Sequence, residues 1–268
     1  MSVVMLSILP QFGFSQEDFR IIAVNEAART MEKSLFASAD PAVVNQYIPN
    51  GAPASMSSMV LFAGADTVLF DTGLGGEAWF KQIKALGIKA DTVKLILLTH
   101  LHPDHIGGLF DDNARRFPNA AVRCALPEYV GTGAAQNKIK AVYGAAFENP
   151  FGYGETVFNN GTVKIKALDA AGHTPGHTAF LIESAKKKCL VAGDLLHAAA
   201  LQFPKPEICS SYDSDPAAAV ASRKRILNLA AEGNIPIGGM HFPAPNFGTV
   251  QKDGSGGYIF HLDKVKSE

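Results

Sequence analysis

Residues 93–108 decide the fold, and they read VKLILLTHLHPDHIGG. Their first six positions, 93–98, are mostly apolar, which is typical of a strand covered on both faces. Pro103 excludes a helix interior for the residues that follow, so we expect an irregular loop there. In such a loop His100 and His102 can point to one side, while Asp104 and His105 turn to a second position close by. The stretch therefore predicts a buried strand that ends in two neighbouring clusters of metal-binding side chains.

Imidazole and carboxylate groups dominate this loop, and together they suit borderline divalent cations, above all zinc. The absence of thiolate from the loop argues against a closed structural zinc site. Any one of these histidines alone would be read as an ordinary surface or core residue. Five of the eight histidines in the chain, however, fall in the candidate set. His173, Asp194 and His241 complete that set, and each lies in a loop beside a predicted strand.

The composition is that of a globular protein, and it limits the partners to expect. With 47% hydrophobic and 18% charged residues, nothing indicates disorder. The formal net charge of −1 offers no basic excess for binding nucleic acid. The three cysteines are far apart, which argues against a disulfide framework. We expect a single domain over residues 1–268 that acts on a small-molecule substrate.

The apolar segment at residues 3–10 resembles a secretion signal in hydrophobicity alone, because no basic residue precedes it. It is also too short to span a bilayer. We therefore expect a cytoplasmic protein without a membrane partner, in which this segment is part of the fold or a surface arm. An apolar arm of this kind is compatible with a homodimer.

Strands and helices alternate along the chain, which predicts an α/β (α+β) protein. Strands are expected at residues 19–24, 59–62, 67–70, 93–98, 120–125, 163–168, 179–182 and 189–192. One helix is expected over 77–86. A second begins after Asp215 as N-cap, with Pro216 in the first turn, and ends before Gly233. Residues 127–158 show weak periodicity, and we expect a mobile or substrate-facing insert there.

The pattern H-x-H-x-D-H, followed by a His, an Asp and a His, resembles that of the metallo-β-lactamase superfamily. The resemblance implies a four-layer αββα sandwich of two mixed sheets flanked by helices. It also implies that one metal is held by His100, His102 and His173. Asp104, His105 and His241 would hold the other, and Asp194 would bridge the two. Asp71, in the D-T-G turn of the family, would orient a ligand histidine.

The implied centre contains two divalent metal ions per chain, with zinc expected first and manganese, cobalt or iron as alternatives. A hydroxide shared by two cations about 3.5–4 Å apart is available near neutral pH and would be the nucleophile. Asp104 would orient that nucleophile while holding its own ion. The implied enzyme is a hydrolase that cleaves an ester, a lactone or a phosphotriester.

Within the superfamily, the chain most resembles the methyl parathion hydrolase group. The resemblance lies in AAGHTPGHT at 170–178, in YDSD at 212–215 and in a glycine-rich hairpin at 248–260. Glyoxalase II-like thioesterases share two of the motifs, but they carry a helical C-terminal extension, and the 27 residues after His241 read as a hairpin. Acyl-homoserine-lactone lactonases commonly have Tyr at the position of His197. Iron-dependent oxidoreductases share the fold, but flavodiiron proteins usually have Glu at the position of His102 and an added flavin domain.

Other residues near the motif are harder to interpret. His197 is a candidate proton donor or polar wall of the pocket, and a histidine that is merely packed beside the site is an equal alternative. His177 is expected to be a buried structural histidine bonded to backbone. An apolar substrate pocket would be lined by residues near the ligands or in the insert, although such side chains are often simple core: Phe151, Leu196, Phe203 and Phe242.

Overall fold

The computed structural model describes residues 13–16 and 18–263, so the expected apolar arm at residues 3–10 lies outside the described residues. The strands are β1 (Gly13–Gln16), β2 (Phe19–Met31), β3 (Ala52–Ala63), β4 (Asp66–Phe70), β5 (Leu95–Leu97), β6 (Phe110–Asp111), β7 (Ala114–Arg115), β8 (Ala121–Arg123), β9 (Thr156–Asn159), β10 (Val163–Asp169), β11 (Thr178–Ser184), β12 (Lys188–Val191), β13 (Ile237–Gly238), β14 (Phe247–Lys252) and β15 (Tyr258–Leu262). The α-helices are α1 (Pro41–Tyr47), α2 (Glu77–Ala85), α3 (Pro103–Ile106), α4 (Leu126–Tyr129), α5 (Ala134–Tyr143), α6 (Ala199–Gln202) and α7 (Pro216–Glu232).

Two large mixed sheets form the centre of the molecule, and each is built from one continuous half of the chain. The first sheet has six strands in the order β1-β2-β3-β4-β5-β8. The second has seven strands in the order β15-β14-β13-β12-β11-β10-β9. A separate small sheet pairs β6 with β7.

Helices cover the outer faces of the two sheets, which gives four layers. On β4, Val68 and Phe70 belong to the core between the sheets, which also contains Phe180 of β11. Leu69, between them, points the other way and packs in a second core with Trp79 of α2. Alternate side chains of a strand point to opposite faces, so a strand buried on both faces is apolar throughout. A third core lies between the second sheet and α7. These layers confirm the αββα sandwich.

Parallel strand pairs place several loops at one edge of the sandwich. β4 pairs in parallel with β5 in the first sheet, and β12 pairs in parallel with β13 in the second. β10 and β12 also run in the same direction, because both are antiparallel to β11. The carboxyl ends of parallel strands meet at the same edge, so the segments that follow these strands come together. All the candidate metal ligands lie in those segments.

The helices α2 and α7 confirm the sequence prediction, including Asp215, whose side chain accepts a hydrogen bond from Ala218 N. The expected irregular loop is wrong for residues 103–106, which form the short helix α3 with Pro103 in its first turn. Proline is tolerated there because the N–H of a first-turn residue has no partner within the helix. Asp104 and His105 are therefore presented from a helical turn.

Residues 127–158 also differ from the expectation of a substrate-facing insert. They contain α5, from which Ile139 and Tyr143 point into the core beside the first sheet. Phe147 is buried in the same core. The weak periodicity arises because Gly and Ala separate the few large apolar residues that are buried. Two of their side chains reach the turn that carries His173: Glu128 Oε1 accepts hydrogen bonds from Thr174 Oγ1 and from Gly176 N, the latter at 3.0 Å, and Tyr153 OH donates to His177 O at 3.3 Å.

Within the described parts of the chain, no helix is both long enough and apolar enough to span a bilayer.

Candidate metal centre

The first group of donors converges from both sheets. His173 Nε2 lies 3.2 Å from His100 Nε2 and 3.0 Å from His102 Nδ1. Asp194 Oδ2 lies 3.5 Å from His173 Nε2 and 3.8 Å from His100 Nε2. Ligands that bind a zinc ion at about 2.0–2.2 Å in a tetrahedron are about 3.3 Å apart. The spacing of these four side chains therefore fits one divalent cation.

The second group lies beside the first and shares Asp194. His105 Nε2 is 3.2 Å from Asp194 Oδ1 and 3.7 Å from Asp104 Oδ2. His241 Nε2 is 3.0 Å from Asp194 Oδ2 and 3.5 Å from Asp104 Oδ2. Within each group, the donor atoms all lie within 4.8 Å of one another. The structure thus brings together all seven residues of the expected centre, in the two expected sets.

Buried polar atoms show that this donor set suits cations. His105 Nε2 and Asp194 Oδ1 are both fully buried, and although they lie 3.2 Å apart, neither has a partner with hydrogen-bond geometry among the described residues. Burying a polar group without a partner costs roughly 2–7 kcal/mol, so native structures rarely leave two such atoms face to face. A divalent cation between them would satisfy both atoms.

The electrostatics of the cluster centre on Asp194. Burial alone would raise the pKa of Asp194, but the adjacent His105 and His241 hold it well below its usual range. Burial would likewise lower the pKa of His105, yet the carboxylates of Asp194 and Asp71 hold it well above its usual value. Burial and the neighbouring His105 hold the pKa of His100 well below its usual value. The carboxylate that the two groups share is therefore anionic, which is the form that binds metal.

The outward-facing nitrogen of each of three ligand histidines donates a hydrogen bond, which fixes the orientation of the ring. His105 Nδ1 donates to Asp71 Oδ2 at 2.7 Å, and His241 Nδ1 donates to Ser55 O at 2.9 Å. His173 Nδ1 donates to Asp213 Oδ1 at 3.2 Å. Each bond leaves Nε2 directed into the cluster. Asp71 thus lies where the resemblance implied.

Asp71 is held in place by the strand that precedes the motif. Its φ of 57° lies in the left-handed region, and its carboxylate accepts hydrogen bonds from Thr99 N at 2.8 Å and Thr99 Oγ1 at 2.7 Å. Thr99 immediately precedes the ligand His100. One carboxylate therefore connects the ends of β4 and β5 and orients His105.

His177 is a buried structural histidine bonded to backbone, as the sequence predicts. Its Nδ1 donates to Ala170 O at 3.0 Å, and its Nε2 accepts from Asp194 N at 2.9 Å. Burial lowers the pKa of His177 to about 3, so the ring is neutral. A Cβ on Gly193 would lie 2.6 Å from His177 Nε2, which explains why glycine, with φ +57°, precedes Asp194. His177 therefore positions Asp194 through its backbone.

A cavity of about 600 Å³ opens directly over the cluster. Its walls include candidate ligands from both groups and residues that the sequence did not predict to line a pocket: Arg29, Thr30, Met31, Glu32, Ser34, Leu35, Met56 and Tyr212. Most of these come from the end of β2 and the turn after it. The sequence predicts a strand only to residue 24, so its extension to the cavity was missed.

His197 lines the same cavity. Its Nε2 is 3.5 Å from Asp194 Oδ2, and its ring is stacked on His241 with centroids 5.3 Å apart. Neither ring nitrogen has a hydrogen-bond partner among the described residues, although the His197 backbone N donates to Gln202 Oε1 at 2.7 Å. Burial lowers the pKa of His197 to about 4, so the ring is neutral at pH 7. A neutral imidazole offers one donor and one acceptor.

The four apolar residues expected in the substrate pocket lie elsewhere. Phe151 belongs to the core between the sheets, and Leu196, Phe203 and Phe242 belong to the core under α7. None of the four is among the described residues that line the cavity. Proximity in sequence to a ligand, or for Phe151 a position in residues 127–158, was misleading here, because each side chain is buried in apolar packing away from the cavity.

Sequence comparison identifies the family. The profile of the metallo-beta-lactamase superfamily matches residues 52–234, a range that contains six of the seven candidate ligands. The chain therefore belongs to the metallo-beta-lactamase superfamily, and the resemblance seen in the sequence is confirmed.

Curated relatives match only part of their own length. The chain is 28% identical over 153 residues to the lactamase-like protein nscB of Trichophyton rubrum, which covers 55% of this chain and 42% of that protein. It is 31% identical over 135 residues to a hydroxyacylglutathione hydrolase of Prochlorococcus marinus, which covers 49% of this chain and 46% of that protein. The chain thus spans less than half the length of these relatives.

Solved structures match nearly the whole chain. The hydrolase AbOPH, of the beta lactamase superfamily, is 25% identical with a TM-score of 0.86, over 96% of this chain and 99% of that chain. AidC, a dizinc quorum-quenching lactonase, is 22% identical with a TM-score of 0.85, over 95% of this chain and 98% of that chain. The latter likeness concerns the fold, which agrees with the four layers described above.

Proposed function

We propose that this protein is a hydrolase that holds two divalent cations and cleaves an ester-type bond in a small molecule. The observation that supports this most directly is the pair of donor groups that share Asp194 at the floor of an open cavity. A closed structural site would have no such access to solvent. Zinc is the first choice of metal, because nitrogen and oxygen donors at these spacings suit it.

Two bound cations would lower the pKa of bound water to about 7 and polarise the oxygen of the bond under attack. The protein itself holds and aims the reacting groups. Asp104 has a side chain that is 22% exposed, the most accessible among the ligands of the second group. It faces the cavity, where its carboxylate can accept a hydrogen bond from the attacking water.

His197 is proposed to contact the substrate. Its neutral ring lines the cavity beside Asp194 and can donate one N–H to an oxygen of the scissile group. A substrate oxygen would also satisfy a buried ring nitrogen that has no partner among the described residues. Replacing His197 by Phe should keep the stacking on His241 and remove this hydrogen bond. Unchanged turnover and KM in that variant would contradict the role.

The cavity favours a substrate with an apolar portion. Met31, Leu35 and Met56 are among the lining residues, and unbranched side chains such as Met adapt to irregular apolar groups. Arg29 also lines the cavity and offers a cation to an oxygen-rich group. Esters, lactones and phosphotriesters combine these features. AbOPH is a hydrolase and AidC is a lactonase, and both share the fold, which supports testing these classes.

Thioester cleavage is the second candidate. A hydroxyacylglutathione hydrolase and an atrochrysone carboxyl ACP thioesterase are among the curated relatives, at 31% and 28% identity over about half of this chain. A thioester places the same carbonyl carbon before the nucleophile, so the donor groups need no change. The choice between oxygen and sulfur esters then depends on the cavity wall.

The test is a panel of aryl esters, lactones, phosphotriesters and thioesters, assayed with metal-stripped and zinc-, manganese- or cobalt-loaded protein. We expect activity to disappear with a chelator and to return with metal, and Asp194→Asn to remain inactive at any metal concentration. Asp111→Asn is the matched control, because Asp111 is 68% exposed in an ion pair with Arg116. Fully loaded protein that cleaves no member of the panel would contradict the proposal.

A further inference from the structure

Asp213 and Arg223 form a buried ion pair directly behind the ligand His173. Asp213 Oδ2 is 3.2 Å from Arg223 Nη2, and the two side chains are 0% and 1% exposed. Asp213 lies in the loop before α7, and Arg223 lies within that helix. Neither is among the described residues that line the cavity, so neither can touch a substrate bound there.

The carboxylate of Asp213 connects the histidine to the arginine. Oδ1 accepts from His173 Nδ1 at 3.2 Å, while Oδ2 accepts from Arg223 and from Ser210 N at 3.1 Å. A carboxylate in this position fixes the proton on Nδ1 and leaves Nε2 free to bind a cation. It also makes the imidazole a stronger ligand, because the negative charge favours electron donation through the ring.

Arg223 connects the same carboxylate to the loop that carries the bridging ligand. Its Nε donates to Leu195 O at 2.8 Å, and Leu195 directly follows Asp194. Its Nη1 donates to Pro206 O and Ile208 O, both at 2.9 Å. Lysine cannot make this set of bonds, because it lacks the planar fork of donors. The arginine therefore holds His173 and the chain beside Asp194 in one arrangement.

A buried ion pair is a poor source of stability, because the cost of removing two charges from water often exceeds the attraction between them. We propose that Asp213 and Arg223 are positioning residues that set the cation affinity of the group formed by His100, His102 and His173. Asp71 serves the other group in the same way through His105. This inference rests on the proposed two-cation site.

The test is a titration of metal-free protein with cobalt against a competing chromophoric chelator, which reports the affinity of each equivalent without an activity assay. In Asp213→Asn we expect one equivalent to bind about 10–100-fold more weakly, the usual cost of losing an outer hydrogen-bond partner, with the other unchanged. Asp71→Asn should weaken the other equivalent by a similar factor. The double variant should then weaken both.

Arg223→Lys is a second variant, which keeps the positive charge but lacks the planar set of guanidinium donors. We expect it to weaken the same equivalent as Asp213→Asn, while Arg225→Lys should leave both unchanged. Arg225 is the matched control, because it lies on the same helix in an exposed ion pair with Asp169 at 3.6 Å. Circular dichroism of each metal-free variant monitors folding, and Arg223→Lys tests the inference even if Asp213→Asn does not fold.

The inference would be overturned if Asp213→Asn or Arg223→Lys bound both equivalents with wild-type affinity. It would also be overturned if Asp213→Asn and Asp71→Asn weakened the same equivalent. Wild-type protein that bound fewer than two equivalents would overturn the proposed function as well. If the wild type bound two equivalents of cobalt and no variant lost affinity for one of them selectively, only this inference would be contradicted.

Discussion

Gly172→Ala is expected to disrupt the first donor group through a backbone collision. Gly172 has φ +135°, and a Cβ built there lies 2.1 Å from Ala219 N and 2.4 Å from Ala219 Cα, in the first turns of α7. Ordinary contacts of a Cβ begin at 3.4 Å, so the turn and the helix must separate by about 1.3 Å. Because both obstructing atoms are backbone, no side-chain rotation can relieve the contact.

Two costs add up in this variant. A non-glycine residue in a left-handed conformation costs roughly 1–2 kcal/mol. Overpacking of a close contact costs typically 1–3 kcal/mol more. We therefore expect the free energy of unfolding to fall by about 2–5 kcal/mol. His173 follows immediately in the chain, and metal sites tolerate only about ±0.2 Å in ligand distance, so one cation should also be lost.

Urea unfolding of the metal-free protein and metal analysis of the loaded protein measure these two effects. Gly161→Ala is the matched control, because Gly161 also has a left-handed φ, +88°, but no atom within 4 Å of its Cβ. It should lose only about 1–2 kcal/mol and keep both cations. The reasoning would be refuted if Gly172→Ala lost no more stability than Gly161→Ala and still bound two cations.

Two further predictions concern stability. Chelation should lower the melting temperature measured by scanning fluorimetry, because a cation present at about 1,000 times its Kd contributes about 4 kcal/mol per site; an unchanged melting temperature would speak against a bound metal. Phe203→Ala should lower the urea midpoint by an amount that corresponds to about 3–5 kcal/mol, because Phe203 is buried and stacked on Phe260 with centroids 4.4 Å apart. The KM of this variant should not change. A raised KM with unchanged stability would indicate that Phe203 lines the substrate pocket.

The convergence of the candidate ligands could be predicted because each carries a local signal. His100 to His105 follow an apolar strand in a dense motif, and His173 lies in a turn defined by glycine and proline. The local sequence pattern predicts that such residues lie at the ends of strands. Parallel pairing of the strands then brings these ends together. Spacing within the loop separates His100 and His102 from Asp104 and His105, and the superfamily pattern added the assignment of His173, His241 and the shared Asp194 to the two groups.

The surroundings of the ligands could not be predicted in the same way. Asp213 contacts His173 across 40 residues of chain, and only the packing of α7 against the second sheet brings them together. The cavity wall at Arg29 and Met31 depends on how far β2 pairs with β3, including a register shift between Asn25 and Ala27. The direction of the Phe203 side chain depends on the tertiary fold. Its position in the sequence predicted a place in the substrate pocket, but the side chain packs in the core under α7.

The division of the sheets between two halves of the chain has a consequence for folding. The first sheet uses residues 13–123 and the second uses 156–262, so each can form from its own contiguous piece. Each donor group takes two ligands from the first half and two from the second. Neither half alone holds a complete cation site. A bound cation would therefore join the two halves, and we expect its release during unfolding to accompany their separation.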